Sequence, residues 1–271
     1  MIRQSRAQTD PQKIIKVAEG QHRKTKTSNA SRVTLKTSCR RQHSPRMFAS
    51  FLRAVYQSLQ KRRPGILFSG NISRPEIALT FDDGPHPRDT PRVLDVLARY
   101  NVCATFFLIG MSAEQYPQLV RQIHQSRHQL ALHCYRHLPF PLESASTLKG
   151  QLDHSRTAIA RACGIPPETI RHVRPPYGFF TAKTLSLLEE WGYRLVLWDN
   201  MPLHFLQPAQ RTVTQILERT APGSILVLHD GKGHGAKVAH ILEIVLPRLK
   251  AKGFEFVTIE QMQNLITGET K

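Results

Sequence analysis

Residues 79–86 read LTFDDGPH, so two acids, Asp82 and Asp83, stand side by side between an apolar run and a Gly-Pro turn. Adjacent carboxylates repel, and a fold that keeps both near a buried strand needs a cation beside them. Residues 133–137 read HCYRH. The separation of His133 and His137 sets both imidazoles on one side of a helical turn, a spacing suited to gripping one divalent cation. Alone that pair says little, because thirteen histidines produce some such pairs by chance. A carboxylate from another part of the chain changes this: two His and one carboxylate leave open positions on a zinc-like ion, the catalytic rather than the closed structural arrangement. Arg174 in RPPYG, Asp199, and His229 with Asp230 in LVLHDG extend the set, while His86, His204 and His234 read as rim or loop residues.

These residues are far apart in the chain, so the fold must bring them together. From Glu76 onward short apolar runs alternate with helix-period segments. Strands are expected over 77–81, 104–109, 130–133, 172–174, 194–198, 224–229 and 254–259, and helices over 90–99, 113–126, 144–163, 181–191, 208–220 and 236–252. Ser112 with Gln115 resembles a capping box, and Gly164, Gly192 and Gly253 each follow a helical run as a stop. Strict alternation implies right-handed crossovers and parallel strands, and residues 75–271 are long enough for an α/β fold closed into an incomplete or distorted barrel. No glycine-rich phosphate loop follows the first strand, which weakens a nucleotide-binding reading. In a parallel barrel, chemistry collects where strands end on one rim, and Asp82, Asp83, His133, His137, Arg174, Asp199, His229 and Asp230 all follow strand ends. One acid can then ligate a metal while its neighbour faces an attacking water. A DDG turn with solvated acids is the competing reading, disfavoured because so many polar groups share the rim.

The stretches ALTFDDGP, HCYRH, RPPYG and LVLHDG, in that order on an alternating chain, resemble the NodB-like polysaccharide deacetylases, carbohydrate esterase family 4. The resemblance runs from about Glu76 to Ile259. It implies a distorted (β/α)7 barrel and a hydrolase that removes acetyl groups from acetylated sugars with a divalent metal, zinc ahead of other divalent transition metals. Carried over, Asp82 is the general base and Asp83, His133 and His137 the metal ligands. Arg174 holds the base, the backbone N–H of Tyr177 steadies the oxyanion, and His229 protonates the leaving group. Pro176, Trp198, Phe205 and Val227 line the substrate pocket. Three positions depart from the family pattern. His204 and Phe205 stand where an Asp followed by Trp is usual, so the carboxylate partner of His229 is missing and Asp199 is the candidate substitute. Cys134 replaces a Ser or Thr, and Val227 replaces a Leu.

The remaining features concern the N-terminal part. Lys plus Arg number 38 against 20 Asp plus Glu, a formal net charge of +18, and most of that excess falls before residue 75. Residues 1–46 have the composition of a basic disordered extension. A solvated arm is preferred over nucleic-acid binding, because no nucleic-acid motif accompanies the charge. Residues 47–74 hold an amphipathic helix over 48–59 and a connecting segment, with packing on the main domain ranked ahead of peripheral membrane contact through 48–63. Residues 75–271 form the deacetylase-like domain. The four cysteines show no disulfide spacing and read as free thiols. Neither a secretory signal nor a bilayer-spanning run is legible, although the family resemblance points to the cell envelope or periplasm. The leading reading is N-deacetylation of an N-acetylglucosamine-containing polysaccharide or oligosaccharide. The alternatives are an O-acetyl esterase and a carbohydrate-binding pseudoenzyme of the same fold.

Overall fold

The structure, a computed structural model, describes residues 65–267 together with 58, 60, 62 and 63. The expected basic arm over 1–46, including Cys39, and nearly all of the expected helix over 48–59 lie outside the described residues. Eight strands follow in chain order: β1 Ile66–Leu67, β2 Glu76–Asp82, β3 Thr105–Leu108, β4 Gln129–Leu132, β5 His172–Val173, β6 Arg194–Val196, β7 Ile225–His229 and β8 Glu255–Val257. The α-helices between and after them are α1 Thr90–Arg99, α2 Gly110–Gln115, α3 Pro117–Gln125, α4 Ala145–Cys163, α5 Ala182–Glu190, α6 Ala209–Arg219, α7 Gly235–Ala251 and α8 Ile259–Thr267.

Every strand pair is parallel, in the order β1-β6-β5-β4-β3-β2-β7, with β8 added to the start of β2. Just beyond β6, Asn200 bridges Leu226 of β7 in parallel, so the far end of the sheet returns to the continuation of β6. That contact closes the sheet into the expected distorted barrel. Register then stacks side chains in layers, because alternate residues of a strand face the same side. Leu67, Ala78, Phe107, Ala131, Val196 and Ile225 pack inside, joined by Ile259 and Met262 of α8 from below. The larger cluster lies between the strands and the surrounding helices.

Three local expectations are corrected. The segment 113–126 is two helices, because Pro117 carries no amide hydrogen to continue the ladder. Ser112 therefore sits inside α2 rather than at its start, where Ile109 stands as the N-cap, and the expected capping box is not formed. Ile259 opens α8 instead of ending a strand, its N–H donated to Thr105 Oγ1 at 3.0 Å and that of Glu260 to Gln129 Oε1 at 2.9 Å. Other punctuation behaves as read: Gly164 ends α4 at φ 68° in the left-handed region, and Ser144 accepts the Thr147 N–H at its start.

Two histidines are buried in this framework away from the strand-end rim. His172 is held between Gln129 at 2.9 Å and Gln263 at 2.8 Å, and His128 Nδ1 accepts the Ala104 N–H at 3.2 Å. Burial lowers both, from 6.5 to about 4. A histidine depressed on folding binds its proton only in the unfolded chain, so its contribution is complete above the unfolded pKa and is lost as pH falls toward the folded one. The contribution of these two rings is expected to be complete above about pH 6.5 and to fall toward about pH 4, each costing about 3 kcal/mol at the lower end. The difference in urea stability between the wild-type chain and His128→Gln across that range checks it, and a pH-independent difference contradicts the assignment.

Candidate active site

The rim where the strands end carries the predicted residues other than Asp199, and the register explains why. Asp82 is the last residue of β2 and pairs with Phe107 on one side and His229 on the other. Beyond it Asp83 turns into the left-handed region at φ 72°, followed by a cis Gly84–Pro85 peptide. That reversal sends the second carboxylate away from the first, answering how adjacent acids coexist.

Asp82 faces Arg174, which follows β5 and is fully buried. Arg174 Nη1 donates to Asp82 Oδ1 at 2.6 Å and to Thr80 Oγ1 at 2.8 Å. Its Nη2 and Nε donate to the carbonyls of Leu197 at 3.2 Å and Val196 at 3.4 Å, and Phe107 lies 3.9 Å beneath the guanidinium. The fork is thus fixed by four acceptors on two strands and the segment after β6.

Asp83 faces the two histidines. Its Oδ1 lies 3.0 Å from His137 Nε2 and 3.6 Å from His133 Nε2, while Oδ2 lies 2.8 Å from Lys232 Nζ. His133 Nδ1 donates to the Arg174 carbonyl at 2.9 Å, which fixes the tautomer and leaves the Nε2 lone pair facing Asp83. The three ligand atoms lie within 4.8 Å of one another. Asp83 Oδ1 is buried without a hydrogen bond despite the two nearby nitrogens, the arrangement expected of donors that share an ion rather than a proton. Burial would raise the Asp83 carboxyl, but the facing His137 and His133 rings and the Lys232 ammonium outweigh it and hold it well below the usual carboxylate range. Burial lowers His133 to about 4, so it offers a neutral ring. The donor set fits a divalent ion of the zinc type. The expected helical placement of this pair is corrected: residues 133–137 form a turn in which Cys134 at φ 66° and His137 at φ 55° are left-handed, and this turn folds the second ring back toward the first.

His229 ends β7 beside Asp82, its ring 5.1 Å from His204 and 5.6 Å from Phe205. Burial lowers its pKa, opposed by Asp82 and Asp83. His204 lies in the turn between β6 and α6, a loop position as read, yet it is fully buried, and burial together with His229 pushes it down to about 3. Asp199 does not replace the missing carboxylate beside His229. It accepts from the Ile225 N–H at 2.7 Å and from Ser224 Oγ at 3.2 Å, at the opposite end of β7, about 13 Å of strand below the rim. Tyr177, at φ 60°, sets its exposed ring edge-on to His137 at 4.8 Å. Gly178 comes close enough to Trp198 that a Cβ would stand 2.8 Å from the indole. Pro176 and Val227 are buried, and Phe205 is partly open. His86 pairs with Asp89 at 2.9 Å, and His234 caps α7 with its ring 5.8 Å from His204. Asp230 is buried under the Gly84 turn, bonded by Thr90 Oγ1 at 2.5 Å and raised by burial to about 7. Sequence reasoning missed Lys232, although its place between two glycines directly after the HDG triplet marked a tight turn at the rim.

The chain is similar to known proteins in both sequence and fold. The family profile described as polysaccharide deacetylase matches residues 69–196. A peptidoglycan-N-acetylglucosamine deacetylase of Bacillus cereus is 34% identical over 197 residues, 72% of this chain and 70% of that protein. A chitooligosaccharide deacetylase of Azorhizobium caulinodans is 33% identical, over 66% of this chain and 90% of that protein. A crystal structure of a peptidoglycan N-acetylglucosamine deacetylase superposes with a TM-score of 0.71 at 31% identity, covering 76% of this chain and 95% of that one.

Removing Arg174 leaves Asp82 buried and unpaired. Arg174→Leu is expected to lose about 3–5 kcal/mol of stability in urea denaturation, and Arg174→Lys to recover only part of it, since one ammonium cannot span the four acceptors.

Proposed function

Because the chain belongs to the polysaccharide deacetylase family, we propose that it is a metal-dependent hydrolase that removes the N-acetyl group from N-acetylglucosamine units of a polysaccharide or oligosaccharide. The observation that carries this reading is the meeting of Asp83, His133 and His137 around one point, next to an Asp82 held by Arg174. The relatives are named for deacetylating peptidoglycan N-acetylglucosamine and chitooligosaccharides, which supports an acetylated amino sugar as substrate. An ion held by the triad, zinc first on the donor types, supplies Lewis acidity toward the acetyl carbonyl and the attacking water. Asp82 takes the proton of that water, with Arg174 holding its carboxylate in place. The Tyr177 backbone N–H donates to the carbonyl oxygen as charge gathers there. His229 passes a proton to the departing nitrogen, which leaves as an amine. Pro176, Trp198, Phe205 and Val227 shape the apolar side of the pocket.

A second reading is favoured by one observation, the buried His204 ring against His229. Among the described residues no carboxylate raises His229 from that side, so a sugar-binding protein with little turnover is the competing outcome.

Acetate release from an N-acetylglucosamine oligomer is the direct assay. Turnover is expected to vanish with a chelator and return with zinc. Asp83→Ala is expected to abolish it, and Asp82→Asn to lower it by a factor of about 100 or more. Activity that survives both chelation and Asp83→Ala sinks the proposal. Binding of zinc and oligosaccharide with no acetate formed selects the second reading.

His229 must carry a proton to act as an acid, and burial drains that proton at lower pH. In His204→Asp a carboxylate beside the ring raises its pKa, so the descending limb of the kcat profile is expected to move to higher pH by about one unit. An unmoved limb shows that another group protonates the leaving nitrogen.

A further inference from the structure

The turn after β7 places a cation against a predicted metal ligand, and its backbone is fixed by contacts that do not involve that cation's side chain. Gly231 lies so close to Asp83 that a Cβ would stand 2.8 Å from its carbonyl oxygen. The Gly233 N–H donates to Asp89 Oδ2 at 2.7 Å. Between them Lys232 takes the left-handed conformation at φ 58°. Its Nζ meets Asp83 Oδ2 at 2.8 Å, on the carboxylate oxygen opposite the one that faces His137 and His133. The lysine side chain is 58% exposed and the Asp83 side chain only 7%.

We propose that Lys232 is a positioning residue that holds one oxygen of Asp83, offers only the other to a cation, and thereby weakens and shapes metal binding at the triad. This rests on the metal reading above and goes beyond it. Two physical effects point the same way. An ammonium next to the carboxylate compensates its charge when no cation is held, so an incoming divalent ion must displace part of that attraction and sit near a like charge. The hydrogen bond also occupies the oxygen that a bidentate carboxylate would use, keeping the ligand count low and positions open for substrate. With the lysine gone, Asp83 can close on the ion with both oxygens.

The test uses the full chain, stripped of metal with a chelator. Zinc affinity is measured by calorimetry, and the visible spectrum is recorded with Co2+ in the site. Lys232→Met is expected to bind zinc roughly tenfold more tightly. Its Co2+ spectrum is expected to weaken toward that of a higher coordination number. Lys232→Arg keeps the charge and is expected to restore wild-type affinity and spectrum. Lys237→Met is the control, since Lys237 bonds the Gln207 carbonyl at 2.6 Å, and it is expected to leave both unchanged. Circular dichroism verifies that each variant is folded, and Lys232→Gln serves if the methionine variant is not. Equal or weaker zinc binding in a folded Lys232→Met or Lys232→Gln protein overturns the inference, while the proposed hydrolase stands. Failure of the wild-type chain to bind zinc at all overturns the metal reading itself and this inference with it.

Discussion

The buried pair of Arg174 and Asp82 is the constraint around which the mouth of the barrel is built. A fully buried guanidinium is tolerable only when its donors are matched, and here the Asp82 carboxylate and Thr80 hydroxyl of β2 and the carbonyls of Val196 and Leu197 engage them. This interaction ties β2, β5 and the segment after β6 together across the barrel interior. The same residue reaches the metal triad, since its carbonyl accepts from His133 Nδ1 and so turns the other nitrogen of that ring toward Asp83. One arginine therefore orients the proposed base with its side chain and a proposed ligand with its backbone.

Charge balance follows from that core. Asp83 is held as a carboxylate by two imidazoles and Lys232, and Asp82 is bonded by Arg174. A third acid, Asp230, lies close enough for both to act on it and is raised by burial to about 7. Three ionised carboxylates in one buried mouth would repel strongly, and the fold avoids this by burying Asp230 beneath the Gly84 turn with Thr90 as partner. The turn glycines serve this packing directly: a side chain at Gly84 would strike the Asp230 carboxylate, and one at Gly231 would strike the Asp83 backbone.

Much of this was legible in the amino-acid order, for identifiable reasons. Short apolar runs and period-3.6 patterns located seven of the strands and the long helices. The position of acids, histidines and Arg174 after strand ends was readable once the alternation implied a parallel barrel. What stayed hidden was short or non-local. β1 has two residues and no period to detect. The start of α8 at Ile259 depends on acceptors from Thr105 and Gln129, more than 100 positions away in the chain. The juxtaposition of His133 and His137 was anticipated, yet it arises from left-handed residues in a turn, and no propensity rule assigns that conformation to Cys134 or His137. Asp199 looked available because a strand-end position implies the rim. The Asn200–Leu226 register sets it level with the start of β7 instead.

The position of His204 shows how one replacement alters a site without altering its frame. The ring is fully buried, packs on His229 and His234, and burial holds it neutral. Compared with a carboxylate in the same volume it removes one negative charge from beside His229. The attraction that would keep His229 protonated must then come from Asp82 and Asp83 alone, both of which already have closer partners. The barrel, the base and the ligand set are indifferent to that exchange, since none of their contacts passes through His204. In the proposed mechanism, binding of an ion and activation of water are thus separable from protonation of the leaving nitrogen, and the second is the step on which the residue at position 204 would act.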